Sequence, residues 1–135
     1  KAQGDLKHHI IEDLAITLGS CINQALGNRE GISRFGFAII PMDESLALVS
    51  LDLVRRSNFF CDLNLKREYI EDLPSEDLIH FLSSLTFNIN CTLHVKILRG
   101  ENDHHKVEAI FKALALALKE AISPSKNIPS SKGLV

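Results

Sequence analysis

An α+β fold assembled from two copies of one unit is the architecture this sequence predicts, on three observations. Three long segments carry apolar residues at helical spacing. Shorter runs between them have the alternation or β-branched content of strands. The motif HHxxE occurs twice, at residues 8–12 and 104–108, each time opening a long apolar helix.

The first helix is expected from His8 to Leu26, where Ile11, Leu14, Ala15, Leu18, Ile22, Ala25 and Leu26 recur at steps of three and four and Gly27 and Asn28 supply the stop. FGFAII (35–40) leads through a turn-like PMDES into LALVSLDL (46–53), a strand of buried type. FFCDLNL (59–65) is a third extended piece that fits a meander with these two. A second helix follows, carrying His80, with Ser75 as its N-cap and Glu76 and Asp77 in its first turn. CTLHVKILRG (91–100) alternates as a strand. The third helix covers 104–122, capped by Asn102 or Asp103. The tail, rich in Pro, Ser and Lys, reads as an exposed segment.

Aligning His8 with His104 superposes the motifs and divides the chain into a first half-repeat, 1–66, and a second, 67–135, which ends in the tail. The first copy is the less complete. His80 precedes His104 on its own helix, and its counterpart falls ahead of Lys1, so the repeat calls for a further helix and histidine there.

Composition narrows the function. A hydrophobic content of 45 % in 135 residues supports a packed core. Net charge is −2 with the 15 basic residues scattered, which gives no electrostatic case for nucleic acid or an anionic membrane. Cys21, Cys61 and Cys91 are an odd number, far apart, and read as buried or half-buried thiols of a reducing cytoplasm. No run approaches the roughly 20 apolar residues of a membrane span.

The chemistry lies in the histidines. Four residues apart on a helix, His8 and Glu12 project from one face and can close on one metal ion, as can His104 and Glu108. His9 and His105 are rotated by about 100°, toward a second ion or a neighbouring chain. Nitrogen and oxygen donors without thiolate suit Mn, Fe or Zn. Neither set completes a coordination shell alone, so a site is expected where the two halves meet, within the chain or across a subunit interface. His80 adds a donor; His94, on a strand, faces either core or solvent. Arg34, Arg56, Lys112, Ser130, Ser131 and Lys132 are of the types that bind phosphate. The lack of an Asp-rich metal set argues against a phosphate-ester hydrolase.

In order and spacing, HHIIEDLAITLG, GISRFGFAIIPMDESLALVSLDL, TLHVKILRGENDHHKVEAIFKALALAL and IPSSKG resemble the imidazoleglycerol-phosphate dehydratases of histidine biosynthesis. The resemblance implies a duplicated fold of the ribosomal-protein-S5-domain-2-like type and a 24-subunit cytoplasmic assembly. It also implies a manganese-dependent loss of water from D-erythro-imidazoleglycerol phosphate, with two Mn²⁺ per active site. By position, His8, His9, Glu12, His80, His104, His105 and Glu108 match the family's metal ligands, with Glu12 and Glu108 as its catalytic carboxylates. Arg34, Arg56, Lys112, Ser130, Ser131 and Lys132 match its substrate residues, and Arg55 is the rival of Arg56 where the family reads SGRP. The family's N-terminal segment, with its own ligand histidine and an upstream Glu, has no match here. The alternative is a noncatalytic metal-binding protein, or an inactive truncated form, of the same fold.

Overall fold

The computed structural model describes residues 6–125. Helix α1 (Lys7–Leu26) precedes strands β1 (Phe35–Met42), β2 (Ser45–Asp52) and β3 (Asn58–Asp62). A two-residue pair, β4 (Tyr69–Ile70) and β5 (Leu73–Pro74), leads into helix α2 (Ser75–Ile89), strand β6 (Thr92–Arg99) and helix α3 (Asp103–Ala121). The expected helices and strands are therefore present. Ser75, however, is the first helical residue rather than the cap: Pro74 occupies the cap position, and the Ser75 hydroxyl donates to the carbonyl of Arg67. At α3 the cap is Asn102, whose side chain accepts from the His104 N–H.

The expected meander does not form. β1 and β2 make an antiparallel hairpin, but β6 pairs antiparallel with β2 and parallel with β3, giving the order β1-β2-β6-β3. Burial explains the choice. β6 buries Leu93, Val95 and Ile97 and so takes an interior position, whereas β3 is short, largely exposed and left at the edge. A parallel pair needs a crossover, which α2 supplies between β3 and β6. β1 to β3 lie before residue 66 and β6 after it, and all four hydrogen-bond in one sheet. α1 brings no strand of its own among the described residues.

One face of the sheet is covered. Ala47, Val49 and Leu51 of β2 meet α3, whose Ala109, Ala113, Ala117 and Ala121 recur every fourth residue and are fully buried. The other face is open and carries Phe35, Phe37, Ile39, Phe60 and Leu98, all exposed.

α1 reaches the rest of the molecule mainly through α2. Gly19 permits this: a Cβ there would lie 2.6 Å from the Asn88 Cβ and 2.9 Å from the Leu85 carbonyl oxygen, so the helices touch backbone to side chain. Only Ala15 and Gly19 of α1 are buried, and Leu14 and Leu18, expected on its apolar face, stay exposed among the described residues. The far end of α1 is tied down by Arg29, which is 1 % exposed. Its guanidinium donates to the Leu53, Ile89 and Asn90 carbonyls and to the Asn23 side chain, so it caps the end of α2 and clamps it to the residue that follows β2. Nothing in the sequence pattern distinguishes Arg29 from a surface arginine.

The cysteines divide. Cys91 is buried, and burial pushes its thiol up to about 12, while Cys21 on α1 and Cys61 on the edge strand are exposed, contrary to the expectation of three covered thiols. No described helix is long and apolar enough to cross a membrane.

Two outcomes follow from this packing. Gly19→Leu forces the helices apart and lowers stability by about 1–3 kcal/mol, read from urea denaturation. A thiol reagent at neutral pH leaves Cys91 unmodified in the native protein and modifies it after unfolding, as mass spectrometry of peptides resolves.

Candidate metal centre

The α1–α2 contact gathers three of the predicted ligands. His8 and Glu12 come from the first two turns of α1, and His80 from the second turn of α2. One donor atom from each lies within 4.8 Å of the others, the one such group of three among the described residues. The His80 Nε2 is 3.1 Å from a Glu12 oxygen, and the His8 and His80 rings stack with centroids 4.8 Å apart. His8 and His80 line an open pocket with Asp77 and Ser83, and all three candidate ligands, Glu12 included, are at least partly accessible. Two imidazoles and a carboxylate at this separation fit a divalent cation of the Mn, Fe or Zn class.

In the sequence Asp77 is only a first-turn acid of α2. It is 4 % exposed and sits 2.6 Å from the His8 Nδ1. That hydrogen bond holds the His8 imidazole above its ordinary pKa, against a smaller opposing effect of burial. A buried carboxylate here could be foreseen only by knowing that α2 lies against α1.

The second motif is arranged differently. The His104 Nε2 lies 3.8 Å from the Glu108 carboxylate one turn on, and its Nδ1 lies 3.6 Å from Glu71. The His105 Nδ1 is 2.7 Å from Glu44, in the β1–β2 turn. Glu44 is well below the usual carboxylate range, first because of His105 and then because of the Asn102 N–H. The same contact raises His105. These residues do not join His8, Glu12 and His80 in a group of comparable closeness, so within the described chain the two motifs remain apart.

The start of α3 is locked from beneath. Lys106, fully buried, donates to the Asn64 carbonyl and to Asp103, whose other oxygen accepts from the N–H groups of Lys66 and Arg67. The pair fixes the 64–67 loop against the turn that presents His104 and His105.

The cations predicted for phosphate meet different fates. Arg34 makes a two-point pair with Asp52, at 2.6 and 2.8 Å, and lies over the Phe35 ring. Lys112 pairs with Glu108 at 2.8 Å, which lowers that carboxyl, and its ammonium is half exposed. Arg55 donates to the Gly27 carbonyl, whereas the Arg56 side chain is exposed and without a partner among the described residues. His9 is exposed near His8, their ring centroids 6.1 Å apart. His94 faces the open side of the sheet, stacked on Phe60. Ser130, Ser131 and Lys132 lie outside the described residues. The apolar cleft lined by Leu18, Phe81, Leu85, Phe111 and Leu118 holds none of the predicted site residues.

The family model for imidazoleglycerol-phosphate dehydratase matches residues 1–118. The chain belongs to that family. A dehydratase of Chloroherpeton thalassium is 50 % identical over 129 residues, covering 95 % of this chain and 66 % of the relative. One of Saccharolobus islandicus is 54 % identical, with 95 % and 67 % covered. This chain thus spans about two thirds of those relatives' length. Among solved structures, the dehydratase of Pyrococcus furiosus in complex with (S)-C348 superposes with a TM-score of 0.87 at 40 % identity, covering 98 % of this chain and 74 % of that one. The Staphylococcus aureus dehydratase gives the same TM-score at 34 % identity, over 93 % and 72 %. Family and α+β architecture therefore stand together.

Because Asp103 and Lys106 are both buried, removing one strands the other's charge. Asp103→Ala or Lys106→Met alone lowers stability by about 3–5 kcal/mol, and the double variant by less than the sum, measured by denaturation.

Proposed function

We propose that this chain carries the dehydratase chemistry of its family: loss of water from D-erythro-imidazoleglycerol phosphate to give imidazole-acetol phosphate, with Mn²⁺ as the metal. The observation that carries the proposal is the convergence of His8, Glu12 and His80 on one point from two helices, in a chain half identical to named dehydratases.

In this proposal the ligands are His8, Glu12 and His80 on one side and His104, His105 and Glu108 on the other, with His9 beside the first group. A bound divalent cation supplies Lewis acidity at the substrate's imidazole, making the ring an electron sink for the elimination. The rest falls to the protein. The proton to be lost is on carbon, so a carboxylate must stand beside it; Glu12 and Glu108 are the candidates. Glu108 is held ionised by Lys112, and a phosphate arriving at Lys112 competes for that ammonium. Arg56 offers the same phosphate an exposed guanidinium with no partner among the described residues, while Arg34 is committed to Asp52 and serves the site as part of that pair. Clamping the phosphate fixes the reacting carbon against the base.

Because the two ligand groups stay apart in one chain, the complete site is proposed to form between subunits of a homo-oligomer, a 24-mer by family resemblance. The exposed Phe35, Phe37, Ile39 and Phe60 supply apolar surface of the kind subunits cover. A reducing cytoplasm is the proposed compartment.

The assay is direct. With Mn²⁺ and substrate, the protein is expected to produce imidazole-acetol phosphate. Metal binding without turnover would reject the dehydratase and leave the noncatalytic metal-binding protein. Glu108→Gln is expected to cut turnover by about 10²-fold or more while leaving the circular dichroism spectrum unchanged; retained turnover would remove Glu108 from the site.

A further inference from the structure

Each HHxxE motif presents one histidine whose Nδ1 is already engaged by a carboxylate from another element. For His8 the partner is Asp77 at 2.6 Å; for His105 it is Glu44 at 2.7 Å. An ionised carboxylate only accepts hydrogen bonds, so at these distances a neutral ring carries its proton on Nδ1 and leaves the lone pair on Nε2. We propose that Asp77 and Glu44 are positioning residues, each fixing the tautomer and the ring plane of one motif histidine so that Nε2 is presented as the metal donor. The proposal rests on the metal-site reading given above.

Both carboxylates are built into the fold. Asp77 is buried in the first turn of α2, one turn before His80, so the helix that supplies one ligand also orients another. Glu44 is held through its Oε1 by the Asn102 N–H at 2.8 Å, the Glu101 N–H at 3.2 Å and the Ser45 hydroxyl at 3.0 Å, which leaves Oε2 for His105. That grip requires the chain at Gly100 to pass close over Ser45. Gly100 has φ +151°, and a Cβ there would collide with the Ser45 side chain. The carboxylate is thus fixed to the turn that launches α3, and the ring cannot rotate about its own axis without losing it. Asp43 lies 3.5 Å from the His105 Nε2, the nitrogen assigned to the metal. Outer carboxylates of this kind orient ligand histidines and raise their basicity, and their loss typically costs about 10–100-fold in metal affinity.

The test reads the ring nitrogens as well as the metal. In the metal-free protein, at a pH where both rings are neutral, ¹⁵N solid-state spectra of imidazole-labelled protein should show His8 and His105 as Nδ1–H tautomers. Asp77→Ala should release His8 to the Nε2–H form and weaken Mn²⁺ binding at least tenfold by electron paramagnetic resonance titration. Asp77→Asn, which keeps an acceptor oxygen, should retain the tautomer and lose less affinity. Glu44→Ala should repeat the effect at His105. A purely structural role would shift the denaturation midpoint and leave the tautomers as they were. Nε2–H rings in the unsubstituted protein overturn the proposal without any variant, as does Mn²⁺ affinity changed less than twofold in a folded Asp77→Ala protein. If the unsubstituted protein binds no Mn²⁺, the metal-site reading falls and takes this one with it; binding by a protein with Nε2–H rings overturns this proposal alone.

Discussion

The close approach of α1 to α2 is the constraint on which the site depends. Neither helix carries enough donors alone: α1 brings His8 and Glu12, and α2 brings His80 and Asp77. They become a group because Gly19 removes the side chain that would hold the helices apart at Asn88 and Leu85. Arg29 then joins the far ends of both helices to the end of β2, through the Asn23 side chain on α1 and the Leu53, Ile89 and Asn90 carbonyls. A shift of one residue along α1 would turn His8 away from Asp77 by about 100° and dissolve the cluster, so helix register and ligand geometry are one property here.

The second motif is held by other means. α3 lies on the sheet along its alanine stripe, and its first turn is fixed by the buried Asp103–Lys106 pair and by Glu44 from the β1–β2 turn. The two halves of the proposed site therefore stand on different supports, helix against helix in one case and helix against sheet in the other. Sharing a motif, they do not share a mounting. This difference suits an arrangement in which each half arrives preformed at a subunit boundary, because neither relies on the other for its local geometry.

Much of this was legible in the sequence, for physical reasons. Apolar spacing located α1, α2 and α3, and the i, i+4 placement of His8 with Glu12 and of His104 with Glu108 needed only helix geometry. What the sequence hid was pairing at a distance. β3 looked like the third strand of a meander because adjacency in the chain is the usual guide; its place beside β6 depends on relative burial, which no local pattern reveals. Asp77 and Glu44 were invisible as site residues for the same reason. Each is an ordinary acid, in a helix start and a tight turn, until the partner element is brought against it. Arg34 and Arg56 illustrate the converse: the sequence offered both as phosphate ligands, and only the fold distinguishes the one paired to Asp52 from the exposed one, which has no side-chain partner among the described residues.

In the proposed site, imidazole and carboxylate from two helices hold a divalent cation. Mn K-edge X-ray absorption on the metal-loaded protein tests it most directly. A mixed shell of histidine nitrogens and carboxylate oxygens is expected, with the imidazole multiple-scattering signal diminished in His80→Ala. A shell of oxygen alone, unaltered by that substitution, would contradict it.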